Sequence, residues 1–383
     1  MLPLTKHSST DMQGEERGSE RLHFLDNLRV FLTCLVVFHH IPGWYYKEPV
    51  QDAATLAVIG VFMILNQTFF MGLFFFISAC FIPSSYDRKG AGLFLRDRLL
   101  RLGIPLVVYG LLIGPLTNYI GDGLPQPFQL FFSKYLLPWR ALNGPLWFVG
   151  VLLVFSTGYV VWRKLRGQHS LIVPKTHSFP SLFSLALCVL VLAALTGLIR
   201  SIPLDGLGWL DGLFPYYEIR YAAQYITLFL AGLIAYHYNW MATLPQTVRS
   251  GLFCLLGSFI LLLPIIFYGG ENAMAYVMDG GWHWQTFNYA LWEAVFGITM
   301  CITLLALFRK RLNRANRFTM WLAGNAYAVY ILHPLILALL WFTLKGLPIH
   351  PLLTFLLIGI TGLPLCFGCG YLLRKLPFAR KIL

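Results

Sequence analysis

The sequence predicts an all-α fold, a polytopic membrane helix bundle of about ten transmembrane helices with both termini in the cytoplasm. Three observations predict it. Of 383 residues, 57% are hydrophobic and only 12% are charged, against about 45–50% apolar and about 25% charged in an ordinary soluble domain. Ten apolar stretches have about the length needed to cross a bilayer: 24–41, 55–82, 99–120, 146–162, 181–199, 220–238, 250–268, 286–308, 321–343 and 351–373. Lysine and arginine are unevenly shared between alternate connections, 22 on one side and 6 on the other with Arg29 set aside, the bias that orients membrane proteins with their basic loops inside.

In chain order, residues 1–22 are polar with both charge signs and read as a disordered cytoplasmic tail. They lack the basic stretch, apolar run and cleavage site of a signal peptide, so the first helix is expected to be retained. Residues 23–376 form one membrane domain, with inner connections at 83–98, 163–180, 239–249 and 309–320 and outer ones that include Arg200 and Arg220. Residues 377–383 form a short cytoplasmic tail. The net charge of +13 then follows from topology and contact with lipid headgroups, without nucleic acid. The seven cysteines lie in apolar segments. Cys366 and Cys369 have CxxC spacing but no second pair or nearby histidine, so packing explains them better than a metal site.

The first span raises the chemical question. In RVFLTCLVVFHH, Arg29 and His40 are eleven residues apart, about 20° beyond three full helical turns and roughly 16 Å along the axis. They share a face, with His39 about 80° off it, and Asp26 is placed to pair with Arg29. Ionisable groups in a span are costly and mark function. At the foot of the third span, in FLRDRLLRLGIP, Arg98 and Arg101 share a face, a forked cation pair suited to phosphate. The eighth span carries the carboxylate Glu293, expected either to meet an arginine or histidine or to stay protonated, and a candidate to orient one of the histidines. The ninth, GNAYAVYILHPLIL, spaces Tyr327, Tyr330 and His333 by three and then breaks the backbone ladder at Pro334.

These motifs, in this order, resemble the acyltransferase 3 family of integral membrane acyltransferases. The first helix LDNLRVFLTCLVVFHH, the FF-rich LFFFISACF with Ser78, the Arg98/Arg101 pair before Pro105, GPLWFVG at Trp147 and the late tyrosines ending at His333 carry the likeness. Ala79 stands where members commonly have glycine, and no extracellular hydrolase-like domain follows. The LDNLR opening looks most like the branch that includes glucan-biosynthesis protein C.

The resemblance and the geometry together imply transfer of an acyl group, acetyl before succinyl, from cytoplasmic acyl-CoA to a hydroxyl of a glycan, lipid-linked sugar or hydrophobic small molecule. Arg29, Arg98 and Arg101 would hold the donor phosphates. His40 would be general base or acyl carrier, with His333 and Glu293 tuning it or holding the acceptor, and Trp147 and Tyr330 would line the acceptor cleft. No permanently bound cofactor is expected, and the location is an integral site in the cell membrane or an internal one. On physics alone a proton-coupled transporter or flippase suits buried ionisable residues and a broken helix equally well. The spans show no inverted repeat to favour it.

Overall fold

The computed structural model describes residues 22–46, 52–136, 144–167, 175, 177–202, 216–245 and 247–383. The expected tail 1–22 lies outside them except for Leu22. The described residues form helices and connections without a strand. Among the described residues, ten helices are long and apolar enough to cross a membrane: α1 (His23–Tyr45), α2 (Ala53–Cys80), α3 (Ile82–Gly121), α4 (Trp147–Leu165), α5 (Leu182–Ser201), α6 (Glu218–His237), α7 (Val248–Tyr268), α8 (Trp284–Arg311), α9 (Arg317–Leu344) and α10 (Pro351–Arg374). The chain is an integral, multi-pass membrane protein.

Helices α1, α8 and α9 form the centre of the bundle. α1 lies against α9 and α8, α9 against α10 and the end of α3, and α8 against α5 and α7. The outer-ring helices α5 and α7 keep most of their apolar side chains on the surface, where lipid rather than protein covers them. α6 lies along the second half of α2, and the two backbones come close because Gly232 faces the Phe76 carbonyl and the Ala79 side chain. A β-carbon at 232 would have no room. The Ala79 methyl is accommodated because its neighbour at 232 has no side chain.

Two departures from expectation shape the site. α2 breaks at Thr68 and Phe69 into helices Ala53–Gln67 and Phe70–Cys80. The Thr68 hydroxyl turns back on the Leu65 carbonyl at 2.7 Å, and Gln224 of α6 donates to the Thr68 carbonyl. A broken ladder at membrane depth persists only when protein groups satisfy the freed carbonyls. The segment 83–98, expected as an inner loop, is instead helical, with a kink at Gly90 where φ is 71°. A buried ion pair, Arg163 to Asp87 at 2.8 Å, ties it to α4. This amphipathic piece leads into the spanning part of α3 and fixes where Arg98 and Arg101 stand. The final residues also form a helix, Pro377–Ile382, with Ile382 buried.

Candidate active site

Three arginines gather at one end of the bundle. Arg29 lies 3.5 Å from Asp26, the i,i+3 pairing its spacing predicts, with its guanidinium 4.7 Å from the centre of the Phe81 ring. Arg98 lies against Phe94, 5.0 Å away, and the charges of Arg101 and Arg29 both act on it. Asp26 and Asp97 offset part of the repulsion. Guanidinium groups so grouped favour a polyanion. Around Arg101 the helix widens into a π-turn, Leu99–Gly103, a local form found often at functional sites. Its carbonyl accepts from the Tyr327 hydroxyl of α9 at 2.6 Å, so the arginine cluster and the tyrosine-rich helix are joined.

His40 sits toward the other end of α1. Its Nδ1 lies 2.8 Å from the Val36 carbonyl. A carbonyl only accepts, so Nδ1 carries the proton and Nε2 is the nitrogen left to act as a base. His333 is held in the same way, and here the sequence explains it. Pro334 has no N–H to give to the carbonyl four residues back, that of Tyr330, and His333 Nδ1 donates to this carbonyl at 2.7 Å. His333 is fully buried and its Nε2 has no hydrogen-bond partner among the described residues. The two rings meet edge to face with centroids 4.9 Å apart. The structure thus joins the histidines of two distant motifs, each locked in the tautomer that leaves Nε2 unprotonated. His39 turns aside onto Phe70, 4.7 Å between centroids.

His40 opens on a cavity of about 410 Å³. Trp147 and Tyr330 line it, as their motifs imply, and the Tyr330 hydroxyl is anchored on the Pro145 carbonyl. His39, which the helix spacing sets off the Arg29–His40 face, also lines it, as do three polar residues that sequence reasoning left unmarked: Gln67, Tyr221 and Glu218. Glu218 is 5% exposed and its Oε2 accepts from Tyr225 at 2.5 Å and from Gln67 at 3.2 Å. Its Oε1 has no partner among the described residues. It therefore brings an acceptor oxygen to a cavity whose other wall holds an imidazole base.

Glu293 is not brought to the histidines. Its Oε2 accepts from Arg200 at 3.0 Å and its Oε1 is buried without a partner. Arg200, expected in an outer loop, occupies the last turn of α5 and is 3% exposed, between the rings of Tyr221 and Tyr289 at 5.2 and 5.0 Å. A guanidinium cannot shed its proton, so burying it requires this carboxylate and the ring faces. The pair adjoins the cavity through Tyr221, which lines it.

The sequence pattern of a family described as an acyltransferase domain matches residues 22–371. The match covers nearly all of the chain, which therefore belongs to this family, the acyltransferase 3 family that its motifs resemble. No curated protein and no solved structure matches. The chain is an acyltransferase enzyme of the membrane, acting between an acyl donor and a hydroxyl acceptor, and the transporter reading falls.

Proposed function

We propose that this membrane acyltransferase moves an acyl group from cytoplasmic acyl-CoA to a hydroxyl of a glycan, lipid-linked sugar or hydrophobic small molecule, with His40 as general base. The observation that carries the reading is the pairing of His40, on a cavity wall, with the buried His333 behind it, each with Nδ1 committed to a carbonyl. The arginine cluster, whose Arg29 stands eleven residues below His40 on the same helix face, supports a donor whose phosphates stay at Arg29, Arg98 and Arg101 while its thioester reaches the imidazole. With both termini inside, that cluster faces the cytoplasm. The LDNLR opening supports a likeness to the branch that includes glucan-biosynthesis protein C.

In this mechanism the acceptor lies in the 410 Å³ cavity, one hydroxyl bonded to Glu218 Oε1 and another directed at His40 Nε2. The imidazole takes the proton as the acceptor oxygen attacks the thioester carbonyl. The new C–O bond forms, the C–S bond breaks, and the imidazolium returns the proton to the departing thiolate. The products are an ester and free CoA. The Val36 carbonyl keeps the ring oriented and steadies its charged form, and the neutral His333 beside it adds no competing cation. Glu293 serves as the counter-ion of Arg200.

The test uses purified protein in detergent with radiolabelled acetyl-CoA. His40→Ala should bind the donor but lose roughly 10²–10⁴-fold in thioester turnover, the usual share of a general base. Arg98→Ala/Arg101→Ala should lose binding. Unchanged turnover in folded His40→Ala would overturn the mechanism.

A further inference from the structure

His40 borders a second cavity. It holds about 300 Å³ and is lined by Trp44, Tyr109, Thr117, Asn118, Tyr135 and Pro334, and it shares His40, Gly43, Gly144 and Pro145 with the first. We propose that this second cavity seats the acyl group during transfer and selects short, uncharged acyl chains. The proposal rests on the reading of His40 as the base for transfer from acyl-CoA.

The argument begins from the single available nitrogen. Because Nδ1 is bonded to Val36, both substrates must bring their reacting atoms to one atom, Nε2, and a site for two substrates needs space on two sides of that ring. The two cavities meet this need, and their walls decide which substrate each takes. The first cavity presents a buried carboxylate oxygen on Glu218 and the side chain of Gln67. A carboxylate oxygen rewards a group that donates a hydrogen bond, and an acyl thioester has none to give. The second cavity belongs largely to α3, the helix whose foot carries Arg98 and Arg101. From Arg101 to Tyr109 is eight residues, roughly 12 Å of helix rise, so a donor anchored at the arginines and extended along α3 arrives at this wall.

The lining also sets the chemistry of the chain. Its polar groups among the described residues are neutral: phenols from Tyr109 and Tyr135, the Asn118 amide and the Thr117 hydroxyl. Asn118 is already committed to the Gly114 carbonyl at 2.9 Å, whereas the Thr117 Oγ1 is buried without a partner. No cation among the described lining residues awaits a second carboxylate, and burying an unpaired carboxylate is costly. A dicarboxylic acyl group such as succinyl is therefore disfavoured here. The space is that of roughly ten water molecules in bulk, room for a chain longer than acetyl but bounded by Trp44, Tyr135 and Pro334.

The experiment measures release of free CoA thiol from acetyl-, butyryl-, hexanoyl- and succinyl-CoA, with water as acceptor, by detergent-purified wild type and by Thr117→Phe and Thr117→Ala. Each protein is first checked for a monodisperse elution profile. Wild type should turn over acetyl- and butyryl-CoA at least ten times faster than succinyl-CoA. Thr117→Phe should lower the hexanoyl-to-acetyl ratio about tenfold or more, and Thr117→Ala, which only enlarges the space and decides the matter if the phenylalanine variant fails to fold, should raise it. An unchanged ratio in Thr117→Ala, or a ratio shifted by Gln67→Leu in the first cavity instead, would overturn the proposal. Failure of wild type to turn over any acyl-CoA would remove the donor reading itself and the acyl pocket with it.

Discussion

The Arg200–Glu293 pair gives an asymmetric prediction. Both residues are 3% exposed and their charged atoms are 3.0 Å apart. Removing one partner of such a pair costs about 3–5 kcal/mol, because the other charge stays buried and uncompensated. The two partners differ in how they escape that cost. In Glu293→Ala the guanidinium keeps its charge and retains a long hydrogen bond to the Val277 carbonyl at 3.4 Å and the Tyr221 and Tyr289 faces, worth about 0.5–2 kcal/mol each, none of which neutralises it; the loss should fall in the upper half of the range. In Arg200→Met, which keeps the length of the side chain, the orphaned carboxyl can take a proton instead of remaining ionised, so the loss should be at least about 1 kcal/mol smaller. Arg200→Met/Glu293→Leu, with apolar groups of similar volume, should recover to within about 1 kcal/mol of wild type. Equilibrium unfolding of the detergent-solubilised protein, followed by helicity and elution, reads all four proteins. A Glu293→Ala loss under 1 kcal/mol, or one smaller than that of Arg200→Met, would refute the reasoning. Turnover by the double variant checks the chemistry separately: activity near wild type makes the pair structural, and a loss of 10²-fold or more in a stable double variant would return Glu293 to the reaction.

Glu218→Gln should raise the KM of an amphiphilic glycoside acceptor such as octyl glucoside by about tenfold or more, the worth of one charge-assisted hydrogen bond of about 1.5–3 kcal/mol, while leaving hydrolysis of acetyl-CoA by water within about twofold of wild type. Gly232→Val should destabilise by about 1–3 kcal/mol or more through overpacking against the Phe76 carbonyl, and Ala79→Gly should rescue part of the loss in Gly232→Ala, seen as a recovered thermal midpoint. Asp52 caps the start of α2, and hydrogen bonds from Thr55 and then Tyr45 hold its carboxyl below the usual carboxylate range. With the folded value depressed, its contribution to stability is present above the ordinary value of about 3.9 and is lost as pH falls through the folded one. A thermal midpoint followed from pH 6 downward should therefore fall less steeply in Asp52→Asn than in wild type.

The spans were legible because each is an apolar run of bilayer length, a property of composition that no tertiary contact overrides. The segment 83–98 was not, since an amphipathic helix lying beside the bundle is as polar in sum as a loop, and the clue, Asp87 facing Arg163 of α4, is tertiary. The same division runs through the site. Arg29 and His40 lie on one helix, so eleven residues of spacing suffice to put them on one face. The locked tautomer of His333 was half legible, because Pro334 necessarily frees the Tyr330 carbonyl, though only the structure shows which group takes it. The contact of His40 with His333 depends on how α1 packs on α9, and no spacing encodes that. Glu218 was missed for a different reason. It stands at the first residue of α6 and Arg200 in the last turn of α5, where a hydropathy window has already closed and a charge reads as a loop residue. Yet charges at the ends of apolar helices are those that a bundle can bury against one another, and the acid-base imbalance held a signal: an unpartnered carboxylate at position 293 required a buried cation, and the six basic residues assigned to the outer side were the supply. Treating every charge within a turn of a span as a member of the bundle would have brought Arg200 to Glu293, released Glu293 from the histidines, and left Glu218 as the carboxylate available to the cavity.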